Sequence, residues 1–257
     1  MNSAIGTTKF QETRFIPSED IAFFVEHYWH VRWDLTDCDP YISETLPHPC
    51  VHIVFEPDSS SVIGVVQGKF TRRLSGRGEV FGIKFRPGGF YPFVKTSISS
   101  FTGKVLPLAD VFGDHSRGLN TEVLSLGDPI RMAERAEQFL HHYVPPRDNT
   151  VAVIHSIVDR IITDKGITKV DDIVRTGDIS KRTLQRNFNR YVGINPKWMI
   201  KRYRLHEAVA LMDTSDGIDL TRLAVQLGYF DQAHFIKDFK RVVGATPSKY
   251  INSLRII

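Results

Sequence analysis

At 257 residues, with 42% apolar and 24% charged residues, the chain is long enough for one or two domains with sizeable cores and too apolar for wholesale disorder. Two cysteines, Cys38 and Cys50, exclude a disulfide scaffold, and no run of about 18 apolar residues exists to span a membrane. The net charge of +4 is unevenly divided: residues 150–257 hold 18 Lys+Arg against 11 Asp+Glu (net +7), residues 1–149 hold 15 against 18 (net −3). A polyanion partner is therefore expected for the second half alone. Met1–Phe10 lacks the apolar core of a signal peptide, and a cytoplasmic protein is the expectation.

Residues 1–17 read as an arm or a first strand. Pro17-Ser18 predicts a helix start, with Ser18 as N-cap, Glu19 and Asp20 in the first turn, and Ile21, Phe24, Val25, Tyr28 and Trp29 as a core-facing stripe. From Val31 to Phe93 the pattern turns to short β-type segments: Val51–Phe55, Val62–Val66 and Val80–Phe85. Turn chemistry at Glu56–Ser60, Ser75–Gly78 and Arg86–Gly89 separates them. Strands at this density predict a small barrel or sandwich. After Phe90 the chain turns helical and loopy. Asp128-Pro129 predicts a helix running to about His142, and Pro145–Asn149 breaks it. The domain division is placed there, giving units 1–145 and 146–257.

Beyond the break the prediction is all helix. Val151–Asp164 carries Val151, Ile154, Val158, Ile161 and Ile162 on one face. A short helix follows over Val170–Thr176, then a turn at Gly177. Ser180 caps a third helix that runs to about Tyr191 and ends at Gly193, and Pro196 stops the run or restarts a new one. Lys197–Met212 connects to a second set: a helix over Leu220–Leu227, a turn at Gly228, the cap Asp231, and a helix over Gln232–Val243 that ends at Gly244 and Pro247.

The second set repeats the first. Phe188–Pro196 and Phe239–Pro247 both read F-x-R-x-V-G-x-x-P at an offset of 51 residues, which also aligns Leu184 with Phe235, Ser180 with Asp231 and Gly177 with Gly228. This marks a duplicated supersecondary unit. Short helix, glycine turn and capped helix is the grammar of the helix-turn-helix, whose second helix enters the DNA major groove. The units span about 170–191 and 220–243. With Leu184 and Phe188 inward, Lys181, Arg182, Gln185, Arg186 and Asn189 are left outward in the first copy. With Phe235 and Phe239 inward, Gln232, Ala233, Ile236, Lys237 and Lys240 are left outward in the second, with His234 nearby. Arginine forks onto guanine O6/N7 and glutamine onto adenine N6/N7. More of the polar base contacts are expected from the first helix.

Residues from about Val151 onward resemble the DNA-binding domain of AraC/XylS-family transcription regulators. The resemblance rests on the tandem arrangement, on Arg204, Leu205, Ala208, Leu211 and Met212 of the connecting helix, and on a fixed-gap pattern from Leu223-Ala224 through Leu227-Gly228-Tyr229, Asp231–Phe235, Phe239–Arg241, Gly244 and Pro247 to Tyr250. It implies two recognition helices docking in successive major-groove segments on one face of the DNA. By position in the motif, Arg182, Gln185 and Arg186 would read bases in the first helix, and Gln232, His234 and Lys237 in the second. Lys181, Lys240, Arg241 and Lys249 would contact phosphates.

The N-terminal half is less informative. Glu26–Trp29, Leu46–Phe55 and Gly82–Gly89 resemble a β-rich domain of uncharacterised function attached to some AraC-type regulators. His48, Cys50 and His52 alternate and would share one strand face, and all are acceptable metal ligands. Pro47 and Pro49 bracket His48, however, and no accompanying ligand motif exists, so no metal and no cofactor are expected. No nucleophile or phosphate-loop motif points to catalysis. Arg86–Gly89 reads as a plain β-turn before an anion-holding one. Trp29, Trp33, Phe55, Phe81, Phe85, Phe90, Tyr91 and Phe93 would line a cavity if the barrel enclosed one.

The expectation is a two-domain α+β chain: a β-barrel or sandwich-like regulatory domain with flanking helices, then an all-α tandem helix-turn-helix domain of homeodomain-like kind. It would regulate transcription on double-stranded DNA as a monomer or homodimer, with a change in the N-terminal domain altering the placement of the two reading helices. A small-molecule effector and RNA polymerase are further candidate partners. The alternative is a barrel-type enzyme or DNA-repair protein fused to a DNA-binding module.

Overall fold

A computed structural model describes residues 9–214 and 217–254. Among them are the strands β1 (Phe10–Phe15), β2 (Val25–Leu35), β3 (Tyr41–Thr45), β4 (His52–Glu56), β5 (Ser59–Ile63), β6 (Phe70–Leu74), β7 (Gly76–Phe85) and β8 (Val105–Pro107). Six form an antiparallel sheet in the order β1-β2-β7-β4-β5-β8, and β3 pairs with β6 in a separate two-stranded ribbon. The helices are α1 (Tyr91–Val94), α2 (Leu108–Phe112), α3 (Leu119–Leu124), α4 (Pro129–His141), α5 (Asn149–Thr163), α6 (Val170–Arg175), α7 (Lys181–Asn187), α8 (Pro196–Thr214), α9 (Leu220–Gln226), α10 (Gln232–Val243) and α11 (Pro247–Leu254). The chain is thus sheet-rich in its first half and all-helical in its second.

The helix expected from Ser18 to Trp29 is not formed. One turn closes, with the amides of Ala22 and Val25 donating to the carbonyls of Ser18 (2.8 Å) and Ile21 (2.9 Å), and the chain then enters β2. Ile21, Phe24, Val25 and Tyr28 are buried as expected, but Trp29 points to the other face of the sheet, beside the cluster of Trp33, Leu35 and Leu74. The stripe straddles this turn and the start of β2, where Val25 and Tyr28 are buried and Glu26, His27 and Trp29 half-buried, so a helical period appears by coincidence. Gly78 and Gly82 lie in β7 opposite Trp33 and Trp29, and a Cβ there would sit 2.2 and 2.3 Å from the indole atoms. Gly78, expected in a turn, is therefore a strand position that must be bare for a tryptophan to lie across it.

Other boundaries moved less. The second strand segment covers Ser59–Ile63 instead of Val62–Val66. Pro247 does not stop the chain but opens α11, where its missing amide and fixed φ cost nothing. Asp128 caps α4 through the Ile130 amide (3.2 Å), and Asp148 caps α5 through the Thr150 amide (2.7 Å). Val151, Ile154, Val158 and Ile161 of α5 are buried, whereas Ile162 is 39% exposed.

The rings proposed as cavity lining fill the core instead. Phe85 meets Phe90 at 4.9 Å between centroids, Phe90 meets Phe101 at 5.9 Å, and Phe24 meets Phe93 at 5.2 Å, all edge-on. This core does not end with the sheet. It continues from Phe55, Phe81 and Phe85 through Met132 and Leu140 of α4 and Ile154 and Ile161 of α5 to Leu184, Phe188 and Ile200. A second core starts further along α8 and gathers Leu205, Met212, Leu223, Phe235, Phe239 and Val242, with Leu46 of the sheet-rich half as its one outlying member.

Candidate nucleic-acid interface

Each repeat builds a short helix, a turn and a capped helix. In the first, Asp172 reaches back to accept from the amides of Thr168 (3.1 Å) and Lys169 (3.0 Å), fixing the start of α6. Ser180 accepts from the Thr183 amide at 3.2 Å and starts α7. In the second, Asp219 takes the amides of Thr221 (2.8 Å) and Arg222 (3.1 Å), and Asp231 takes that of His234 (2.7 Å). Gly193, Gly228 and Gly244 have φ of +87°, +78° and +91°, the left-handed region that lets a helix stop without a Cβ clash. Apart from the exposed Arg190 and Arg241, the shared letters of the repeat are thus caps, stops and core.

The 3.6-residue period then decides what faces out. Leu184, Phe188, Phe235 and Phe239 are all fully buried. On α7 this leaves Lys181, Arg182, Gln185 and Arg186 exposed, with Asn189 just beyond. Arg182, Gln185 and Arg186 form no side-chain bond among the described residues, so their donors and acceptors are uncommitted. Lys181 is held by Asp171 of α6 at 2.9 Å.

The α10 face is different. Ala233, His234, Lys237 and Lys240 are exposed, while Gln232 and Ile236 are half-buried. Gln232 accepts from the Thr221 hydroxyl at 3.3 Å, which joins α10 to α9. Asp238, only 6% exposed, collects the cations Lys201 of α8 at 2.6 Å and Arg241 at 3.0 Å, with the His234 ring at 3.6 Å. So Arg241 and His234 are already engaged, and Lys237 and Lys240 are the unpaired cations of this helix among the described residues. Lys249, on α11, is exposed.

Two buried arginines on α8 were not singled out as buried by the sequence. Arg202, 1% exposed, donates to the carbonyls of Val66 (3.0 Å) and Gly68 (3.2 Å) in the sheet-rich half and stacks on Trp198. Burial lowers its pKa to about 10. Arg204 binds Glu207 at 2.6 Å and the Ile161 carbonyl. An arginine inside a helical repeat is most simply read as surface, so only its partners' positions reveal the role. The junction continues at Gly193, whose carbonyl accepts from the Thr102 hydroxyl at 2.7 Å.

His48, Cys50 and His52 do not share a ligand position. Cys50 is 3% exposed and burial pushes its thiol up to about 12, while His48 lies on His206 and His52 meets Trp29 edge-on. Among the described residues, no three His, Cys, Asp or Glu side chains surround a cation position.

Comparison with known proteins follows the same division. Residues 13–107 match a domain of unknown function, DUF6597, and residues 174–253 match the helix-turn-helix domain family. The regulator MtrA of Neisseria gonorrhoeae is 30% identical over 82 residues, covering 32% of this chain and 27% of its own length. The F1 operon positive regulatory protein of Yersinia pestis is 30% identical over 101 residues, covering 39% and 33%. The chain thus spans about a third of the length of these curated relatives. The crystal structure of ToxT from Vibrio cholerae aligns over 97% of this chain and 100% of its own at 13% identity, with a TM-score of 0.40. Residues 174–253 thus match the helix-turn-helix domain family, and in this chain they follow residues 13–107, which match DUF6597.

Proposed function

We propose that the chain is a sequence-specific, DNA-binding transcription regulator of the AraC/XylS type, working in the cytoplasm. The observation that carries this is the pair of capped helices, α7 and α10, each with its aromatic or leucine side buried and a basic face left open. Arg182, Gln185 and Arg186 are the base readers of α7, and Gln232, His234 and Lys237 those of α10. Lys181, Lys240, Arg241 and Lys249 hold phosphates. Lys181 and Arg241 exchange a carboxylate partner for phosphate on docking, and Gln232 must release Thr221 to reach a base.

Residues 1–145 serve as the regulatory unit and 146–257 as the reading unit. Coupling between them is supported by the Arg202 and Thr102 contacts across the junction and by the core that passes through it. RNA polymerase and a small-molecule effector are the further partners in this reading, and one chain suffices to engage DNA. Selection from random duplexes with the full chain tests it. The expected site holds two segments about one helical turn apart, and affinity should fall steeply with salt. Binding without sequence preference, or without salt dependence, overturns the proposal.

A further inference from the structure

A cleft of about 470 Å³ opens where the sheet-rich half, α5 and α8 meet. Its size is that of a small-molecule site. Val158 and Ile162 of α5 and the Tyr203 ring of α8 supply apolar wall, which accounts for the exposure of Ile162. Its charged groups are balanced in number but not in partners. Glu26 is occupied by Lys84 at 2.8 Å, and Glu207 by Arg204 at 2.6 Å and Lys165 at 3.6 Å.

Two lining charges remain. Arg86 donates through Nε to the Ala22 carbonyl at 2.9 Å, which fixes its stem and leaves the terminal nitrogens without a carboxylate among the described residues. Asp159 on α5 has no cationic partner among them. His155, also in the lining, feels both charges and is held neutral, its pKa lowered to about 4 by burial and then by Arg86. Its Nε2 is buried and has no hydrogen-bond partner, as is Nε of Arg204 on the facing helix. An orphaned polar group beside an open cleft is one whose bond a bound molecule can complete.

We propose that this cleft binds a small zwitterion with an apolar or aromatic body, of the amino-acid or short-peptide kind. Its carboxylate sits on Arg86 and its ammonium on Asp159. The balanced lining argues against a plain anion, which would meet Asp159, and against a plain amine, which would meet Arg86. A charge-assisted pair at each end gives both affinity and orientation. The ligand would join the sheet-rich half, through Arg86, to a helix of the reading half, through Asp159. Binding can be measured without DNA, so failure of this proposal and failure of the DNA-reading one are separable.

The test is isothermal calorimetry on the full chain with L-phenylalanine and glycyl-L-phenylalanine, each against the one-charge analogues phenylpropionate and phenethylamine. At least one zwitterion should saturate, with both analogues at least about tenfold weaker, since each leaves one charged group unpaired. Asp159→Asn, at an exposed position, should fold normally and lose the discrimination against phenylpropionate. Arg86→Lys should retain part of the carboxylate preference and Arg86→Gln none. The proposal is overturned if neither zwitterion saturates below about 10 mM. It is equally overturned if a one-charge analogue binds as tightly, or if Asp159→Asn leaves the order of affinities unchanged.

Discussion

The imidazole of His48 lies flat on that of His206, centroids 4.2 Å apart and planes within 4°. One ring belongs to the sheet-rich half and the other to α8, so the stack joins the two halves. Protonating both rings would set two like charges face to face at this distance. Burial lowers the pKa of His48 to about 4 and of His206 to about 3, with Lys84 and Arg202 among the nearby cations that add to it. Half-buried His52 and His155 are lowered too, to about 3 and about 4.

The unfolded chain takes up these protons first. The stability is therefore complete above the ordinary histidine pKa of about 6.5 and is lost as pH falls through the window towards 4, by up to about 1.4 kcal/mol per pH unit for each histidine. Urea unfolding at pH 7.5, 6 and 5 should show a falling midpoint, with His48→Phe flattening the fall because it keeps a ring and removes a proton site. A midpoint constant over that range would rule this out.

The two separate cores predict two levels of protection. Phe235→Ala removes a fully buried ring from the second core and should cost about 3–5 kcal/mol locally. Hydrogen exchange should then speed up in α9 and α10 while α5 and α7 keep their protection. Uniform loss through the chain would mean that the two cores unfold as one.

Gly193 and Gly103 make a paired test of the junction. Both have positive φ, +87° and +73°. A Cβ at Gly103 meets nothing within 4 Å, whereas one at Gly193 would sit 2.7 Å from the Thr102 hydroxyl and 2.8 Å from the Ile98 carbonyl. Gly103→Ala should cost about 1 kcal/mol for the backbone alone. Gly193→Ala should cost about 3 kcal/mol or more, because strain and overlap add. Equal thermal shifts for the two would show that Gly193 is not packed on Ile98 and Thr102.

For DNA, Arg186→Ala and Lys240→Ala should separate in kind. The first should cost about 1–3 kcal/mol on the selected site and relax one base position. The second should weaken all duplexes alike and reduce the salt slope by about one unit. Fluorescence anisotropy on specific and scrambled duplexes at several salt concentrations reads both. Equal loss on both duplexes for Arg186→Ala would remove it from the base-reading set.

The reading half was legible because its signals are local. Caps at Ser180 and Asp231, stops at Gly193 and Gly244, and the inward pairs Leu184/Phe188 and Phe235/Phe239 are each set within one turn of helix, so the outward faces followed by subtraction. The Ser18–Trp29 stripe misleads because it straddles a single turn and the start of β2, and its pattern reflects what packs there from α4 and the β3–β6 ribbon. β3 and β6 are five residues each and rich in Ser, Thr, Glu and Arg, and β8 is only three residues long, too short for a strand period to stand out. The cleft was invisible because Arg86, Asp159 and Tyr203 are far apart in sequence and meet only once α5 and α8 dock.

The helix α8 belongs to both cores: Met199 and Ile200 lie in the first, Leu205, Ala208 and Met212 in the second. Its 19 residues make a rod of about 28 Å. In the function proposed above, that rod is a ruler. One inserted residue would turn the second reading head by about 100° and aim it away from the groove, whereas two whole turns would return it to the same face about 10 Å further along. Operators for this protein should therefore tolerate base changes far better than changes in spacing. Relatives that read differently spaced sites should differ in α8 by whole turns.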